Sequence, residues 1–99
     1  MKNLTKENFD TIVADGKVLI DFYTDWCGYC RILEPVLEEL SQKHSGTVTV
    51  VKVDADREEE IASRYGITGY PTVVVLDNGN EVARKIGANP IGVYEDILL

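Results

Sequence analysis

The chain has 99 residues, 44% of them hydrophobic and 27% charged, enough for one packed domain over residues 1–99 and too few for a two-domain enzyme. Ten basic against 17 acidic side chains leave a net charge of −7, a surface that repels phosphate backbones and anionic lipids, so neither nucleic acid nor membrane is expected as a partner. The longest apolar run, Val73-Val74-Val75-Leu76, is far short of the ~20 residues of a spanning helix, and the start, Met1-Lys2-Asn3-Leu4-Thr5, lacks an apolar secretory stretch, making the cytoplasm the expected compartment.

Leu4-Thr5 followed by Phe9 reads as a hydrophobic staple around a Thr N-cap, and Phe9, Ile12 and Val13 follow helical spacing before Gly16, which predicts a first helix over 5–15. Val18 to Tyr23 is apolar except for Asp21, the pattern of a central strand covered on both faces. From Gly28 to Lys43 the set Leu33, Val36, Leu37 and Leu40 repeats at helical spacing, with Glu34, Glu38 and Glu39 outside it and Pro35 expected to bend the axis. Thr47 to Val53 is a β-branched strand, and Asp56-Arg57-Glu58-Glu59 offers a capping box for a short helix closed by Gly66. The strands 72–76 and 81–86 flank Asp77-Asn78-Gly79-Asn80, where Asn-Gly signals a tight hairpin. Asn89-Pro90 then supplies an N-cap and a first-turn proline for a final helix whose buried stripe is Val93, Tyr94, Ile97 and Leu98. Strands joined across a long helix pair in parallel while the hairpin is antiparallel, so the expected architecture is α/β, a central mixed sheet flanked by helices on both faces.

The only two cysteines, Cys27 and Cys30, fall where the central strand ends and the long helix begins. A ring this small restrains the unfolded chain by only ~2 kcal/mol, so it is a poor staple. It is also half a zinc site without its other half: His44, the lone histidine, lies fourteen residues beyond Cys30, ~21 Å along a helix. That separation equally rules out a thiol–imidazole hydrolase dyad, and His44 is read as a solvated side chain near the helix C-terminus. Reversible dithiol–disulfide chemistry remains. A thiol at a helix N-terminus faces unpaired amides and the positive end of the helix dipole, both favouring thiolate, which makes Cys27 the expected nucleophile and Cys30, one turn inward, the resolving thiol. A pKa falling from 8.5 to about 7 would raise the thiolate fraction at pH 7 from ~3% to ~50%, more than offsetting a roughly fivefold loss of intrinsic nucleophilicity.

Val18-Leu19-Ile20-Asp21-Phe22-Tyr23-Thr24-Asp25-Trp26-Cys27-Gly28-Tyr29-Cys30, the downstream Pro35, Tyr65-Gly66-Ile67-Thr68-Gly69-Tyr70-Pro71-Thr72 and Ile86-Gly87-Ala88 closely resemble the thioredoxin family over nearly the whole chain. The resemblance implies the thioredoxin fold, with a first strand and last helix abbreviated here, and protein-disulfide reductase activity without a bound cofactor. It implies protein disulfides as substrates, an NADPH-dependent thioredoxin reductase as electron donor, and a monomer. Asp21 would deprotonate Cys30 through water, with Lys52 beside it. Tyr70-Pro71 would form a cis-proline loop, against the base rate of ~5–6% cis for X-Pro bonds, with the Tyr70 backbone offered to substrate. Trp26, Gly28, Tyr29, Ile67, Tyr70, Pro71, Gly87 and Ala88 would form the substrate-binding rim.

One departure touches the site: Gly28-Tyr29 stands between the cysteines where most of the family has Gly-Pro. The Tyr29 amide so freed is expected to stabilise the Cys27 thiolate and make the disulfide more oxidising, by tens of millivolts if it supplies one charge-assisted hydrogen bond. The alternatives are therefore a more oxidising disulfide oxidase or isomerase outside the cytoplasm, a non-catalytic binding module using the Trp26 and Tyr70 surface, and a metal-linked dimer pooling two cysteine pairs.

Overall fold

The computed structural model describes residues 1–98. Its elements run β1 (Lys2–Asn3), α1 (Phe9–Val13), β2 (Lys17–Tyr23), α2 (Gly28–Lys43), β3 (Thr49–Asp54), α3 (Glu59–Arg64), β4 (Thr72–Asp77), β5 (Asn80–Ile86) and α4 (Ile91–Ile97). The strands form one mixed sheet in the order β1-β3-β2-β4-β5, with β3 parallel to both β1 and β2 and the β2–β4 and β4–β5 pairs antiparallel. The two-residue β1 carries no alternation to read, and it appears only through its pairing with Val51 and Lys52.

Alternation along β2 divides the core in two. Val18, Ile20 and Phe22 face a cluster with Phe9, Val13, Val51, Val53 and Ile61 under α1 and α3. Leu19 faces Leu33, Leu37, Leu40, Val73, Val75 and Tyr94 under α2 and α4. Asp21, two residues on from Leu19, therefore points to the α2 side. Its register partner Lys52 on the adjacent parallel strand projects to the same side.

The hairpin follows its sequence signal: Asn78 and Gly79 have φ of 49° and 87°, the pair of left-handed residues that a type I′ turn requires. Helix starts depart from theirs. The first helix begins at Phe9 rather than Thr5, because residues 5–8 form a separate turn in which the Asn8 Oδ1 accepts from the Thr5 amide. Asp54, not Asp56, organises the entry to α3, its Oδ1 accepting from the amides of Asp56 and Arg57 at 3.0 and 3.4 Å. Asn89 does not cap α4. Its side chain bonds the Gly87 carbonyl and the Tyr94 hydroxyl, and Pro90 takes the cap position. His44 is not merely solvated: at the C-cap of α2 its Nε2 lies 2.7 Å from the Glu95 carboxylate, tying α2 to α4.

Candidate active site

The site forms where β2 runs out against the start of α2. Cys27 is the N-cap of α2, and its Sγ accepts a 3.2 Å hydrogen bond from the Cys30 amide, two residues into the first turn. The same sulfur is bonded to Cys30 Sγ, with the two Cα atoms 5.2 Å apart. A Cys-x-x-Cys at a helix start places both sulfurs together because the third helical residue turns back over the cap.

In the disulfide form the donor to Cys27 Sγ is the Cys30 amide. Among the described residues the amide that reaches Cys27 Sγ is that of Cys30, and the Tyr29 amide makes no such bond. Cys27 is only 7% exposed and Cys30 5%, so burial does not separate their roles. Position does: Cys27 caps the helix, whereas Cys30 lines a cleft of about 140 Å³, open to solvent, with Asp21, Tyr23, Thr24, Asp25, Arg31, Glu34 and Lys52.

Asp21 is 2% exposed, and its Oδ1 has no hydrogen-bond partner among the described residues. Burial, reinforced by the Glu34 charge and only partly opposed by Lys52, pushes its carboxyl up to about 7. Among the described residues the Lys52 ammonium pairs with Glu34 and not with Asp21, donating to Glu34 Oε1 at 2.9 Å and lying 5.2 Å from the Tyr23 ring centre. Burial lowers the Lys52 ammonium, but the bond and charge of Glu34, with smaller help from Tyr23 and Asp21, leave it above its usual value.

Around the sulfurs, Trp26 and Tyr29 are 69% and 68% exposed. The Trp26 indole is fixed rather than loose, since Nε1 donates to Asp56 Oδ2 at 2.9 Å and the ring meets Tyr70 edge-on at 6.1 Å. The Tyr70–Pro71 peptide bond is cis. Its carbonyl neighbour, Pro71 O, accepts from the Gly87 amide at 2.8 Å, and the Gly87 carbonyl in turn accepts from the buried Tyr94 hydroxyl at 3.1 Å. This chain of bonds fixes the Gly87-Ala88 turn against the proline loop, and Ala88 packs on the α2 side of the core. Ile67 and Tyr70, both half-buried, pack on the opposite cluster. Gly28 opens α2 with nothing within 4 Å of where a Cβ would stand.

Two residues escaped the sequence reading. Glu34 was placed only on the solvent side of the long helix, although its spacing of four from Cys30 puts both on one helix face. Asp56 was assigned to a cap and instead holds Trp26. Among the described residues no group of three or more His, Cys, Asp or Glu side chains converges as a metal site, and no helix is long and apolar enough to cross a membrane.

The thioredoxin family model matches residues 1–97. The chain belongs to the thioredoxin family. It is 41% identical to a thioredoxin of Chlamydia pneumoniae, the match covering 88% of this chain and 84% of that protein. It is 36% identical to the thioredoxin of Bacillus subtilis (95% and 90% covered) and 42% identical to thioredoxin C-2 of Corynebacterium nephridii (89% and 83% covered). With the bonded Cys27–Cys30 pair at the helix start, this thioredoxin-family chain is a thiol–disulfide oxidoreductase that reduces protein disulfides through that pair. Its α/β architecture, a five-stranded mixed sheet between two helical layers, is the thioredoxin fold.

Proposed function

We propose that the chain acts as a monomeric, single-domain cytoplasmic reductase whose Cys27–Cys30 disulfide is re-reduced by an NADPH-dependent thioredoxin reductase. The observation that supports this best is the asymmetry of the two sulfurs: one caps a helix, the other faces a buried acid. In the dithiol form the Cys27 thiolate attacks one sulfur of a substrate disulfide and displaces the other as thiolate, leaving a mixed disulfide. Asp21 then takes the Cys30 proton through water, and the Cys30 thiolate attacks Cys27 Sγ. The second substrate sulfur leaves, and two electrons have passed from the cysteine pair to the substrate.

The rim supports docking of an extended peptide. Among the described residues the Tyr70 backbone enters no hydrogen bond, which leaves a donor and an acceptor for a substrate strand beside Pro71. Trp26, Gly28, Tyr29, Ile67, Gly87 and Ala88 provide contact area around it, with Trp26 held in place by Asp56. Lys52 shares the cavity and takes part through Glu34 rather than through direct contact with Asp21.

Reduction of insulin disulfides with dithiothreitol as donor tests the reading, with Cys30→Ser as the diagnostic variant. That variant is expected to lose turnover while accumulating a covalent mixed disulfide through Cys27, visible by mass spectrometry. An active native protein whose Cys30→Ser form turns over at the native rate would contradict it. A measured potential near −270 mV is the value a reductase of this kind needs, whereas one of −120 to −180 mV would assign the chain to oxidation or isomerisation.

A further inference from the structure

Asp21 and Lys52 are register partners on adjacent parallel strands, with side chains on the same face of the sheet. In the simplest arrangement the ammonium would pair with the buried carboxylate beside it. Instead Lys52 Nζ donates to Glu34 Oε1 at 2.9 Å, while Asp21 Oδ1 has no hydrogen-bond partner among the described residues. Glu34 occupies the turn of α2 beyond Cys30 and lines the same cavity as Cys30, Asp21 and Lys52. Its side chain is half exposed, whereas that of Lys52 is only 20% exposed. Pairing with Glu34 therefore keeps the ammonium toward water, and pairing with Asp21 would draw it further into the protein at a desolvation cost.

We propose that Glu34 is a positioning residue for the resolving step: it holds the Lys52 ammonium at the outer end of the cavity and so withholds from Asp21 the counter-charge its carboxylate would otherwise take. The proposal rests on the reading of Asp21 as the base for Cys30. Its consequence is a site that favours the protonated acid until near neutral pH, so the resolving thiol loses its proton less readily as the medium acidifies. The groups around Asp21 bear this out one by one. Tyr23 comes from its own strand, Lys52 from β3, Asp25 from the following loop, and Cys30, Arg31 and Glu34 from α2. The β4 register partner, Val73, brings no charge. Of the two cations that line the cavity, Arg31 donates to the Asp25 carbonyl at 2.8 Å, and Lys52 pairs with Glu34.

The test follows the Asp21 carboxyl carbon by NMR against pH in the dithiol protein, and the pH dependence of mixed-disulfide breakdown alongside it. Glu34→Gln is expected to lower the Asp21 titration midpoint by about one pH unit, by freeing Lys52 to approach and by removing a like charge, and to move the acid limb of breakdown down equally. In a Lys52→Gln background the same Glu34→Gln change is expected to give less than half that shift. An unchanged Asp21 midpoint in Glu34→Gln overturns the proposal. An equal shift with and without Lys52 also overturns it, since Glu34 would then act by repulsion alone. Asp21→Asn separates the two ideas: if its breakdown retains the native acid limb, the role of Asp21 as base fails, while the NMR midpoints still decide what Glu34 does to Asp21.

Discussion

Cys27→Ser is expected to bring disulfide reduction down to the uncatalysed background, a loss of at least about a thousandfold, with the fold intact. The loss is so large because no second nucleophile can substitute. Cys30 faces the cleft beside Asp21 instead of the helix cap, and the lone imidazole, His44, is engaged with Glu95 at the far end of α2. A hydroxyl at the cap still accepts the Cys30 amide bond, since Ser is a favoured N-cap, but it remains protonated at neutral pH and does not attack sulfur. The stability cost is bounded. A ring of this size is worth ~2 kcal/mol, so thermal unfolding in the variant remains a single transition, shifted down by about 8–16 °C. Insulin reduction and circular dichroism measured together check both halves. Substantial activity in Cys27→Ser would place the chemistry elsewhere.

The second large effect concerns stability and its pH dependence. The folded protein raises the Asp21 carboxyl from 3.8 to about 7, chiefly by burial. The folded state therefore binds this proton more tightly than the unfolded chain does, and the stability attached to it is fully present below pH ~4, falls as pH rises, and is gone above pH ~7. A separation of about three units corresponds to roughly 4 kcal/mol. Asp21→Asn, nearly isosteric and uncharged, removes this dependence. It is expected to be more stable than the native protein by about that amount at pH 8 and to differ by less than about 1 kcal/mol at pH 4. Urea denaturation at the two pH values measures it, and two parallel stability curves would contradict it. The same variant is expected to lengthen the lifetime of the mixed disulfide by ~10²-fold, the range of a lost general base. On the proposed role as base for Cys30, Asp21 is a position where function is kept at the expense of stability.

Much of this was legible in the sequence because it is local. The near-continuous apolar run around Asp21 identified a strand covered on both sides, and its single acid stood out because ionised carboxylates are expensive there. Asn78-Gly79 specified its turn through backbone sterics alone. Cys27 and Cys30 were placed at a helix start by the switch from strand to helical spacing, which is most of what the site requires. The cis bond at Tyr70–Pro71 was a different case: base rates favour trans, and only the family resemblance pointed the other way.

What escaped depends on how distant segments meet. Glu34 pairs with Lys52 only because the β2–β3 register sets Lys52 beside Asp21 and the rotation of α2 turns Glu34 toward it, neither of which any local window contains. Asp56 reaches Trp26 across thirty residues, and His44 reaches Glu95 across fifty-one. The cap at α3 was assigned to Asp56 by its spacing from Glu59, yet Asp54 won because the strand ends there and its side chain is already turned toward the following amides. In the disulfide form the cap bond to Cys27 comes from the Cys30 amide, as the third residue of a helix commonly supplies.

The most direct measurement is the rate at which Cys27 reacts with iodoacetamide in the dithiol protein as pH is raised from 5 to 10. A thiolate stabilised by the helix start predicts a midpoint near 7, well below the ~8.5 of a free cysteine, with Cys30 reacting slowly throughout. A midpoint at or above 8.5, or Cys30 reacting first, would contradict the assignment of Cys27 as the attacking sulfur.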